Sequence, residues 1–530
     1  MKILVAEPLA KQGLEILRAN ATHEIDEKIG LTPEQLAEII GEYDALLVRS
    51  QVKVTAEILA HATRLVVIGR AGVGVDNVDL EAATKAGIVV VNAPTGNTVS
   101  AAEQTITLML ALAHKTAAAD ASMRRGEWKR SSFTGVELRG RTLGIIGLGK
   151  IGQAVADRAH GLEMNVIGSD PFVTAEQAAL HGIALTDVDT IIEQADVITV
   201  HVPLNKTTKG IINAENIAKL KPGVMLINVA RGGVYDEAAV AQALTDGKIA
   251  GAAFDVYESE PPAADNPLLT APNTVLTPHL GALTAEAQLR VAEEACEQVV
   301  DVLAGRSARY AVNAPLLTPE TSRAIAPYLP LTEILGRFAA QYLRSGVKTL
   351  TVDVSGDLAE HDASQLTAAA LRGILSDAAS ERVNLINAGF LARNRGIVVN
   401  ERKTNDAGSF ASLVTLTVEG DKGTTVVAGT VANGEPRLVR IDESWLDMAP
   451  APLMVVTHHQ DKPGTMGRIG LILGEADINI SSMTLARTAS RQDALMLLAV
   501  DEEVSDKILE QIKNHPAVLD VWSIHAAPER

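Results

Sequence analysis

The sequence predicts an α/β protein with two parallel sheets, followed by an α+β region and a final βαββαβ domain. Short aliphatic runs alternate with helical stretches from Met1 to about Ala308, which is typical of parallel βαβ units. Apolar residues make up 47% of the chain and aromatic residues only 3%, a composition that suits sheets built from aliphatic strands. At 530 residues the chain is too long for one core, and this favours several domains.

The first region contains ten strand candidates, four before about Val99 and six after it. Each is a short aliphatic run that ends at polar or turn-forming residues, as buried parallel strands do. Two parallel sheets are therefore expected. In chain order the candidates are KILVAE, ALLVRS, LVVIGR, IVVVNAP, TLGIIGLG, NVIGSD, VITVHVP, VMLINVAR, GAAFDVY and TVLTPH.

Two further regions differ in their patterns. From roughly Tyr310 to Met448 the alternation of helix and strand is lost, and SLVTLTVEG and TTVVAGTVANGEPRLVRI alternate apolar and polar residues around Gly/Asn turns. This pattern predicts antiparallel hairpins, and it carries no cluster of catalytic residue types. From about Ala451 the order strand, helix, two strands, helix, strand predicts a ferredoxin-like arrangement.

Charge and composition exclude several classes of function. The net charge of −18 argues against a nucleic-acid partner, because neutralising phosphates requires a basic face. Any anionic substrate must be bound by a local group of Arg or Lys. The single cysteine, Cys296, permits neither an internal disulfide nor a cysteine metal site, and no metal is expected.

No membrane or export segment is expected. The most apolar run, Thr105–Ala113, falls well short of the roughly 20 residues that span a bilayer. The first residues, MKILVAEP, are typical of a strand and not of a charged and then apolar leader. A cytoplasmic protein is therefore expected.

A glycine motif predicts a dinucleotide-binding unit. Gly147, Gly149 and Gly152 form G-x-G-x-x-G between an aliphatic strand and a helix. In such a unit the first glycine makes the tight turn, the second lets a pyrophosphate approach, and the third lets helix and sheet pack closely. The motif therefore indicates a Rossmann-type doubly wound sheet.

The residues around this motif favour NAD. Backbone N–H groups of Lys150 and Ile151 would face the diphosphate at the positive end of the helix dipole. Asp170 ends the next strand, where a carboxylate accepts the ribose hydroxyls and repels a 2′-phosphate. No arginine follows it, since Pro171 and Phe172 come next. We therefore expect NAD rather than NADP.

Polar residues follow the later strands of the second sheet. Arg231, Asp255 and His279 come directly after or just beyond three of these strands, Val202 follows a fourth, and Glu260 lies on the loop DVYESEPP. Because ligands bind beyond the carboxyl ends of parallel strands, these side chains are expected near the nicotinamide.

These residue types suit hydride chemistry on a 2-hydroxy acid. A guanidinium binds a carboxylate with two parallel hydrogen bonds and polarises the neighbouring oxygen, which is the expected role of Arg231. The alcohol proton needs an acid/base with a pKa near neutrality, and His279 supplies one. Glu260 would favour the protonated imidazole and fix its tautomer. We predict these three as the catalytic residues.

The same segments resemble a known family. GLGKIGQ, NVARGGVYDE, AAFDVYESEPP and TPHLGA are similar to the D-isomer-specific 2-hydroxyacid dehydrogenases, over nearly the whole of residues 1–308. The resemblance implies that Arg231, Glu260 and His279 are catalytic and that Asp255 contacts the nicotinamide carboxamide. One small departure is Leu283, where the family more often has serine. By the family pattern the further cofactor contacts are Val73, Lys150, Ile151, Val202, Ala230, Arg231, His279, Leu280, Gly281 and Ala282.

The resemblance also implies a domain order. The cofactor domain of this family is inserted into a flavodoxin-like substrate domain, and catalysis occurs in the cleft between the two. This predicts a split substrate-binding domain (1–98 and 285–308), an NAD-binding domain (99–284), an intervening domain of allosteric-substrate type (309–449) and a C-terminal regulatory domain (450–530).

Strand ends of the first domain predict the substrate site. Arg49 and Ser50 end one strand, Asn97 follows another, and the turn Arg70–Gly74 offers glycine-flanked N–H groups at Gly72, Val73 and Gly74. Two arginines beside such an anion-binding turn favour a substrate with a second anionic group, such as a phosphate. The alternative is that each arginine pairs with a nearby acid.

The remaining motifs concern assembly and regulation. In family members that act on phosphorylated substrates, the position of Arg130 reaches the phosphate across a subunit interface, which implies a homo-oligomer, either dimer or tetramer. The segment HHQDKPGTMGRIGLILGEADINI resembles an ACT regulatory domain, whose amino-acid-binding positions would be His459, Asp461, Gly464 and Asn479. L-serine is the expected effector.

This layout resembles the long form within the family, which oxidises 3-phosphoglycerate with NAD in the first step of L-serine biosynthesis. Two alternatives remain open at this point. One is a reductase of glyoxylate, hydroxypyruvate or 2-oxoglutarate, and the other is an NADH-sensing corepressor that binds protein partners. The ACT-like C-terminal segment and the complete set of Arg231, Glu260 and His279 argue against the corepressor.

Overall fold

The structure is a computed structural model that describes residues 1–315, 317–379, 382–487 and 492–526. The first sheet contains β1 (Lys2–Val5), β2 (Glu24–Glu27), β3 (Ala45–Val48), β4 (Val67–Arg70) and β5 (Val89–Asn92). It is flanked by α1 (Lys11–Arg18), α2 (Pro33–Ile39), α3 (Ala56–Ala60) and α4 (Leu80–Lys85). All neighbouring strands are parallel in the order β2-β1-β3-β4-β5, which is the flavodoxin-like order.

The second sheet contains β6 (Thr142–Ile146), β7 (Asn165–Ser169), β8 (Ala184–Leu185), β9 (Val197–Val200), β10 (Met225–Asn228), β11 (Gly251–Phe254) and β12 (Thr274–Leu276). Its helices are α5 (Thr98–Ala113), α6 (Thr116–Arg124), α7 (Lys150–Gly161), α8 (Ala175–Ala179), α9 (Val188–Gln194), α10 (Ala214–Lys219) and α11 (Glu237–Thr245). The parallel order β8-β7-β6-β9-β10-β11-β12 is doubly wound about β6 and β9. The predicted Rossmann-type sheet is therefore confirmed.

The chain then returns to the first sheet through α12 (Ala285–Leu303). Val291, Cys296 and Val299 on this helix are buried in one core with Ile3 and Val5 of β1. Burial raises the pKa of the Cys296 thiol to about 12, with a smaller contribution from the charge of Glu297. The thiol is therefore neutral and packs as a small apolar group.

The middle region contains α13 (Pro319–Ile325), α14 (Tyr328–Leu343), α15 (Ser364–Ser376) and α16 (Ala388–Asn394). Its strands are β13 (Val347–Gly356), β14 (Val398–Thr404), β15 (Ser412–Gly420), β16 (Gly423–Ala432), β17 (Glu435–Ile441) and β18 (Ser444–Met448). The predicted hairpins are present, because β15, β16 and β17 pair antiparallel in succession. The hairpin prediction did not include the edge strand β14, which pairs parallel with β13.

The last region follows the predicted βαββαβ order. It contains β19 (Leu453–Gln460), α17 (Thr465–Glu475), β20 (Ile480–Arg487), β21 (Asp493–Val500), α18 (Asp506–Lys513) and β22 (Val518–His525). The strand order β20-β21-β19-β22 is antiparallel throughout. The ferredoxin-like arrangement is confirmed.

The two faces of this last sheet pack against different partners. Val455 belongs to a core with α17 and α18, whereas Met454 and Val456, which point to the opposite face, lie in the core of the middle region. The junction is aromatic as well. The Tyr342 hydroxyl on α14 lies 2.8 Å from His458 Nε2, and the His458 ring stacks on Trp522 with centroids 5.5 Å apart. The middle and last regions therefore share one hydrophobic core.

Candidate active site

The glycine turn between β6 and α7 is tight on one side and open on the other. Gly147 has φ +97°, a left-handed conformation that favours glycine. A Cβ on Gly152 would lie 2.1 Å from the Gly147 carbonyl oxygen, so the helix can approach the turn only without a side chain there. Gly149 precedes the helix, and its Cβ position faces open space. The turn is therefore tight on the protein side and open on the ligand side.

Asp170 lies beside this turn, at the end of β7. One carboxylate oxygen accepts the N–H of Leu148 at 2.8 Å, and the other accepts the N–H of Phe172 at 2.9 Å. A carboxylate has about four acceptor positions, so others remain for ribose hydroxyls. The residue expected to select NAD is thus fixed to the glycine turn itself.

A cleft of about 220 Å³ lies where the carboxyl ends of both sheets face each other. Most of its lining residues were predicted from the sequence, and both the first and the second sheet contribute. Ala101, His201, Pro203 and Val229 also line it and were not predicted. The full lining is Val73, Asn97, Ala101, Ile151, His201, Val202, Pro203, Val229, Ala230, Arg231, His279, Gly281 and Ala282.

His279 and Glu260 form a close pair at this cleft. His279 Nδ1 lies 2.7 Å from Glu260 Oε2, and the other oxygen of Glu260 accepts the N–H of Tyr257 at 3.2 Å. Burial alone would raise the pKa of Glu260, but the hydrogen bond and charge of His279, with Tyr257 N–H and Arg231, lower it below its usual range. An ionised carboxylate on Nδ1 leaves Nε2 for a substrate proton.

Asp255 anchors the loop that carries the histidine. Its side chain is fully buried, and its carboxylate accepts N–H groups of Leu280 and Gly281, both at 2.7 Å. The Thr277 hydroxyl also donates to it. His279 has φ +56°, an uncommon conformation for a residue with a side chain, and these bonds stabilise it. The expected contact of Asp255 with the nicotinamide carboxamide stays a prediction.

Arg231 extends from β10 toward the first sheet. Its Nε donates to Asp76 Oδ2 at 3.0 Å, and its Nη1 donates to the Ala230 carbonyl at 2.6 Å. A Cβ on Gly74 would lie 2.0 Å from Nη2, so the guanidinium approaches the backbone of the predicted substrate turn. Arg231 thus bridges the two sides of the cleft.

Two side chains fix the loop that presents Arg49 and Ser50. Buried Glu7 accepts three backbone N–H groups, from Arg49 at 2.6 Å, Gln51 at 2.9 Å and Val52 at 3.2 Å. Asn77 donates to the carbonyls of Arg49 and Val52 at 3.0 and 2.7 Å. Sequence reasoning missed Glu7, although it follows β1 as the predicted residues follow their strands.

The Arg70 turn is compact. The Arg70 guanidinium occupies the place that a Cβ on Gly72 would take, 1.6 Å from Nη1. Burial, and then the charge of Arg231, lower the pKa of Arg70 to about 10. Within residues 1–315 and the other described ranges, Arg70 Nε and Asn97 Oδ1 are buried without a hydrogen-bond partner. Buried polar atoms are rarely left unpaired in proteins, so both suit contact with a polar ligand.

Arg130 and the C-terminal positions lie elsewhere. Arg130 begins an exposed 3₁₀ turn. It is not among the described residues that line the cleft. His459 is buried, and its Nδ1 lies 3.1 Å from Thr457 Oγ1. Asp461 pairs with Arg487 at 2.9 Å.

The other two predicted effector positions flank α17. Gly464 precedes the helix with φ +92°, and Asn479 donates to Asp501 at 2.6 Å. Their roles, like those of the catalytic residues and of Arg130, stay predictions.

Neither a membrane span nor a metal site is found in the described ranges. None of their helices combines the length and apolar character that crossing a bilayer requires. No group of three His, Cys, Asp or Glu side chains that could hold a metal ion occurs there.

Three segments match known families. Residues 106–281 match the D-isomer specific 2-hydroxyacid dehydrogenase, NAD binding domain, so the predicted cofactor, NAD, is confirmed. Residues 324–442 match the D-3-phosphoglycerate dehydrogenase intervening domain, and residues 453–517 match the ACT domain.

Several relatives that are similar over the full length carry the name D-3-phosphoglycerate dehydrogenase. The D-3-phosphoglycerate dehydrogenase of Archaeoglobus fulgidus is 43% identical over 98% of this chain and 99% of its own. The protein of that name from Bacillus subtilis is 40% identical over 98% of both chains. Among solved structures, the TT0316 protein of Thermus thermophilus is 34% identical and covers 59% of this chain and 100% of its own, with a TM-score of 0.55. The chain therefore belongs to the D-isomer specific 2-hydroxyacid dehydrogenase family, in its D-3-phosphoglycerate dehydrogenase branch.

Proposed function

We propose that this chain oxidises 3-phospho-D-glycerate to 3-phosphooxypyruvate with NAD⁺, the first step of L-serine biosynthesis. The observation that carries the proposal is that His279, paired with Glu260 at 2.7 Å, lines the same cleft as Arg231. The names of the full-length relatives support the phosphorylated substrate over glyoxylate, hydroxypyruvate or 2-oxoglutarate. Reduction of NAD⁺ by the purified chain with 3-phosphoglycerate is the direct test.

One side of the cleft would bind NAD and the other side would bind the substrate. Residues 99–284 would bind NAD, with the diphosphate over Gly149 and the ribose hydroxyls on Asp170. Residues 1–98 and 285–308 would bind the substrate. The open space at Gly149 and the free acceptor positions of Asp170 fit these contacts. Bound NAD⁺ supplies the hydride acceptor.

The side chains divide the remaining chemistry. Arg231 binds the substrate carboxylate and polarises the oxygen at C2 with its Nη groups. Nε2 of His279 accepts the hydroxyl proton as the hydride leaves C2. The Glu260 carboxylate stabilises the imidazolium that forms, since it is already ionised and lies on Nδ1. In the reverse reduction, the same imidazolium returns the proton.

Two arginines support a phosphate on the substrate. The Arg49 guanidinium donates only to the Pro8 carbonyl, at 3.4 Å, in the ranges the structure describes. Neither the Arg49 nor the Arg70 side chain forms an ion pair with a carboxylate there. The alternative that each pairs with a nearby acid therefore loses its support. In a chain with a net charge of −18, such unpaired cations suit a ligand that is itself anionic.

Arg49→Ala is expected to affect phosphorylated substrates selectively. Loss of one charge-assisted hydrogen bond should raise the KM for 3-phosphoglycerate about 10- to 100-fold. Reduction of unphosphorylated hydroxypyruvate should change by less than about threefold. Steady-state kinetics on both substrates measure the split. Arg18→Ala, which removes an exposed arginine paired with Glu27, serves as the control. An equal loss on both substrates would contradict the assignment of Arg49 to phosphate.

We further propose that L-serine is the effector and that the active form is a homo-oligomer. The match of residues 453–517 to the ACT domain supports an amino-acid effector. His459, Asp461, Gly464 and Asn479 are the proposed contacts. Because His459 is buried in this structure, the proposed effector surface uses the exposed parts of Asp461, Gly464 and Asn479. Arg130 does not line the cleft of its own chain, and we propose that it reaches the cleft of a second subunit.

Serine is expected to lower the rate of NAD⁺ reduction. A rate titration with L-serine, run beside analytical ultracentrifugation, measures the effect and the oligomeric state together. D-serine is the matched ligand control, and Asn479→Ala should shift the titration to higher serine because it removes a proposed contact. A rate that stays constant up to saturating L-serine would rule out this effector.

A further inference from the structure

We infer that Asp76 is a positioning residue, which holds the Arg231 guanidinium across the cleft in the orientation that binds the substrate carboxylate. The inference rests on the proposed function, and it concerns a residue outside the predicted catalytic, cofactor-binding and substrate-binding sets. It assigns the Arg231–Asp76 contact to substrate binding rather than to fold stability.

Two hydrogen bonds hold the Arg231 guanidinium in one orientation. A guanidinium has five N–H donors in a fixed plane. Nε donates to Asp76 Oδ2 at 3.0 Å and Nη1 to the Ala230 carbonyl at 2.6 Å. These two bonds, on different edges of the plane, fix both its tilt and its rotation. The N–H groups that remain are on Nη1 and Nη2, the end that binds a carboxylate with two parallel bonds.

The Nη end of the Arg231 guanidinium points toward the predicted anion-binding turn. Nη2 approaches the backbone of Gly74 so closely that a Cβ there would lie 2.0 Å away. Gly74 belongs to the Arg70–Gly74 turn, the predicted anion-binding turn of the substrate side. The arginine held by Asp76 therefore faces the same small volume as that turn, and one carboxylate can bridge the two.

The backbone around Asp76 is held independently. Asn77, the next residue, is bonded to the Arg49 loop through two carbonyls. Asp79 caps α4 by accepting the N–H of Ala82 at 2.9 Å. Asp76 itself has a side chain that is 67% exposed, so it fills no core. Its side chain can be changed while the loop stays anchored, which makes it suitable for substitution.

Charge supports the same placement. Among the charges acting on Arg70, Arg231 and Arg49 lower its pKa, while Asp76 and Glu7 oppose them. Asp76 thus acts on both cations, by a hydrogen bond to Arg231 and by its charge on Arg70, and it offsets their mutual repulsion. A role in charge balance alone would not require the hydrogen bond from Arg231 Nε. Asp76→Asn removes the charge but keeps an acceptor oxygen, so it separates charge balance from positioning.

The test compares Asp76→Ala with Asp76→Asn. We expect Asp76→Ala to lower kcat/KM about 10- to 100-fold, because small displacements of a positioning group have effects of that size. Since Arg231 binds the carboxylate that both substrates share, the loss should be equal for 3-phosphoglycerate and for unphosphorylated hydroxypyruvate. Asp76→Asn should recover most of it, because the amide oxygen can still accept the Nε proton. NADH affinity should not change.

Asp79→Ala is the matched control. It lies in the same loop and removes the α4 cap, so it should lower the melting temperature while kcat/KM stays near the wild-type value. An equal kinetic loss in Asp79→Ala would overturn the inference in favour of loop stability. An Asn variant as impaired as the Ala variant would overturn it in favour of charge.

Two further outcomes would also overturn it. A lower KM in Asp76→Ala would mean that Asp76 competes with the substrate for Arg231, and unchanged kinetics would mean that Arg231 needs no partner. Failure of the proposed function is distinguishable, because the wild-type protein would then not reduce NAD⁺ with 3-phosphoglycerate. The Asp76 comparison could still be made with hydroxypyruvate.

Discussion

His279→Ala is expected to lower kcat about 10²- to 10⁴-fold, the usual contribution of a positioned acid/base. Nδ1 of this histidine lies 2.7 Å from Glu260 Oε2, so the substitution removes both the proton acceptor and the group that Glu260 stabilises. Turnover with 3-phosphoglycerate and saturating NAD⁺ measures the loss. A variant within about tenfold of the wild-type rate would contradict the acid/base role.

NADH binding provides the control for this variant. The cofactor contacts predicted at residue 279 are shared with its neighbours, whose N–H groups are held by Asp255. The alanine variant should therefore bind NADH with nearly the wild-type affinity, as fluorescence titration would measure. Loss of NADH binding together with turnover would instead indicate that the loop had rearranged.

Gly152→Ala is expected to abolish most NADH affinity. Its Cβ would lie 2.1 Å from the Gly147 carbonyl oxygen, far inside contact distance, and backbone cannot move aside as a flexible side chain can. The start of α7 must shift away from the turn that would bind the diphosphate. We expect the NADH dissociation constant to rise at least about tenfold, or roughly 1.4 kcal/mol, as calorimetry would measure.

Gly161→Ala is the matched control for this change. Gly161 is the last residue of the same helix, and its Cβ position has no heavy atom within 4 Å. NADH affinity should stay at the wild-type value, and helix propensity favours alanine by up to about 1 kcal/mol. If both variants bound NADH normally, the close approach at Gly152 would not be needed for the site.

Much of the fold was predictable because its signals are local. The strand, glycine turn and helix around Gly147 lie within one short segment, and the central strands of the parallel sheets are mostly aliphatic. One edge strand of each parallel sheet was missed. β2 reads EIDE and has no fully buried residue, and β8 has only two residues, so neither carries an aliphatic run.

The site residues were predictable where they obey the rule that ligands bind beyond the carboxyl ends of parallel strands. They were less predictable where tertiary packing determines which side chains meet. Arg231 and His279 line the cleft as that rule predicts. Glu7 also follows a strand, β1, so the same rule could have included it. Asp76 contacts Arg231 only in the folded chain, and the spacing of the two residues in the sequence does not indicate this contact. His459 lies on a strand of the C-terminal sheet as expected, yet packing on both faces of this sheet buries it.

The core shared by the middle and last regions limits how the C-terminal domain can be exchanged. Met454 and Val456 of β19 pack into the same core as Leu331 and Phe338 of α14. Grafting the ACT-type domain of another protein onto this chain would therefore have to reproduce the apolar side of its sheet as well as its amino-acid pocket. The ACT-type domain and its neighbour therefore form one packing unit, although the polypeptide joins them through a short linker.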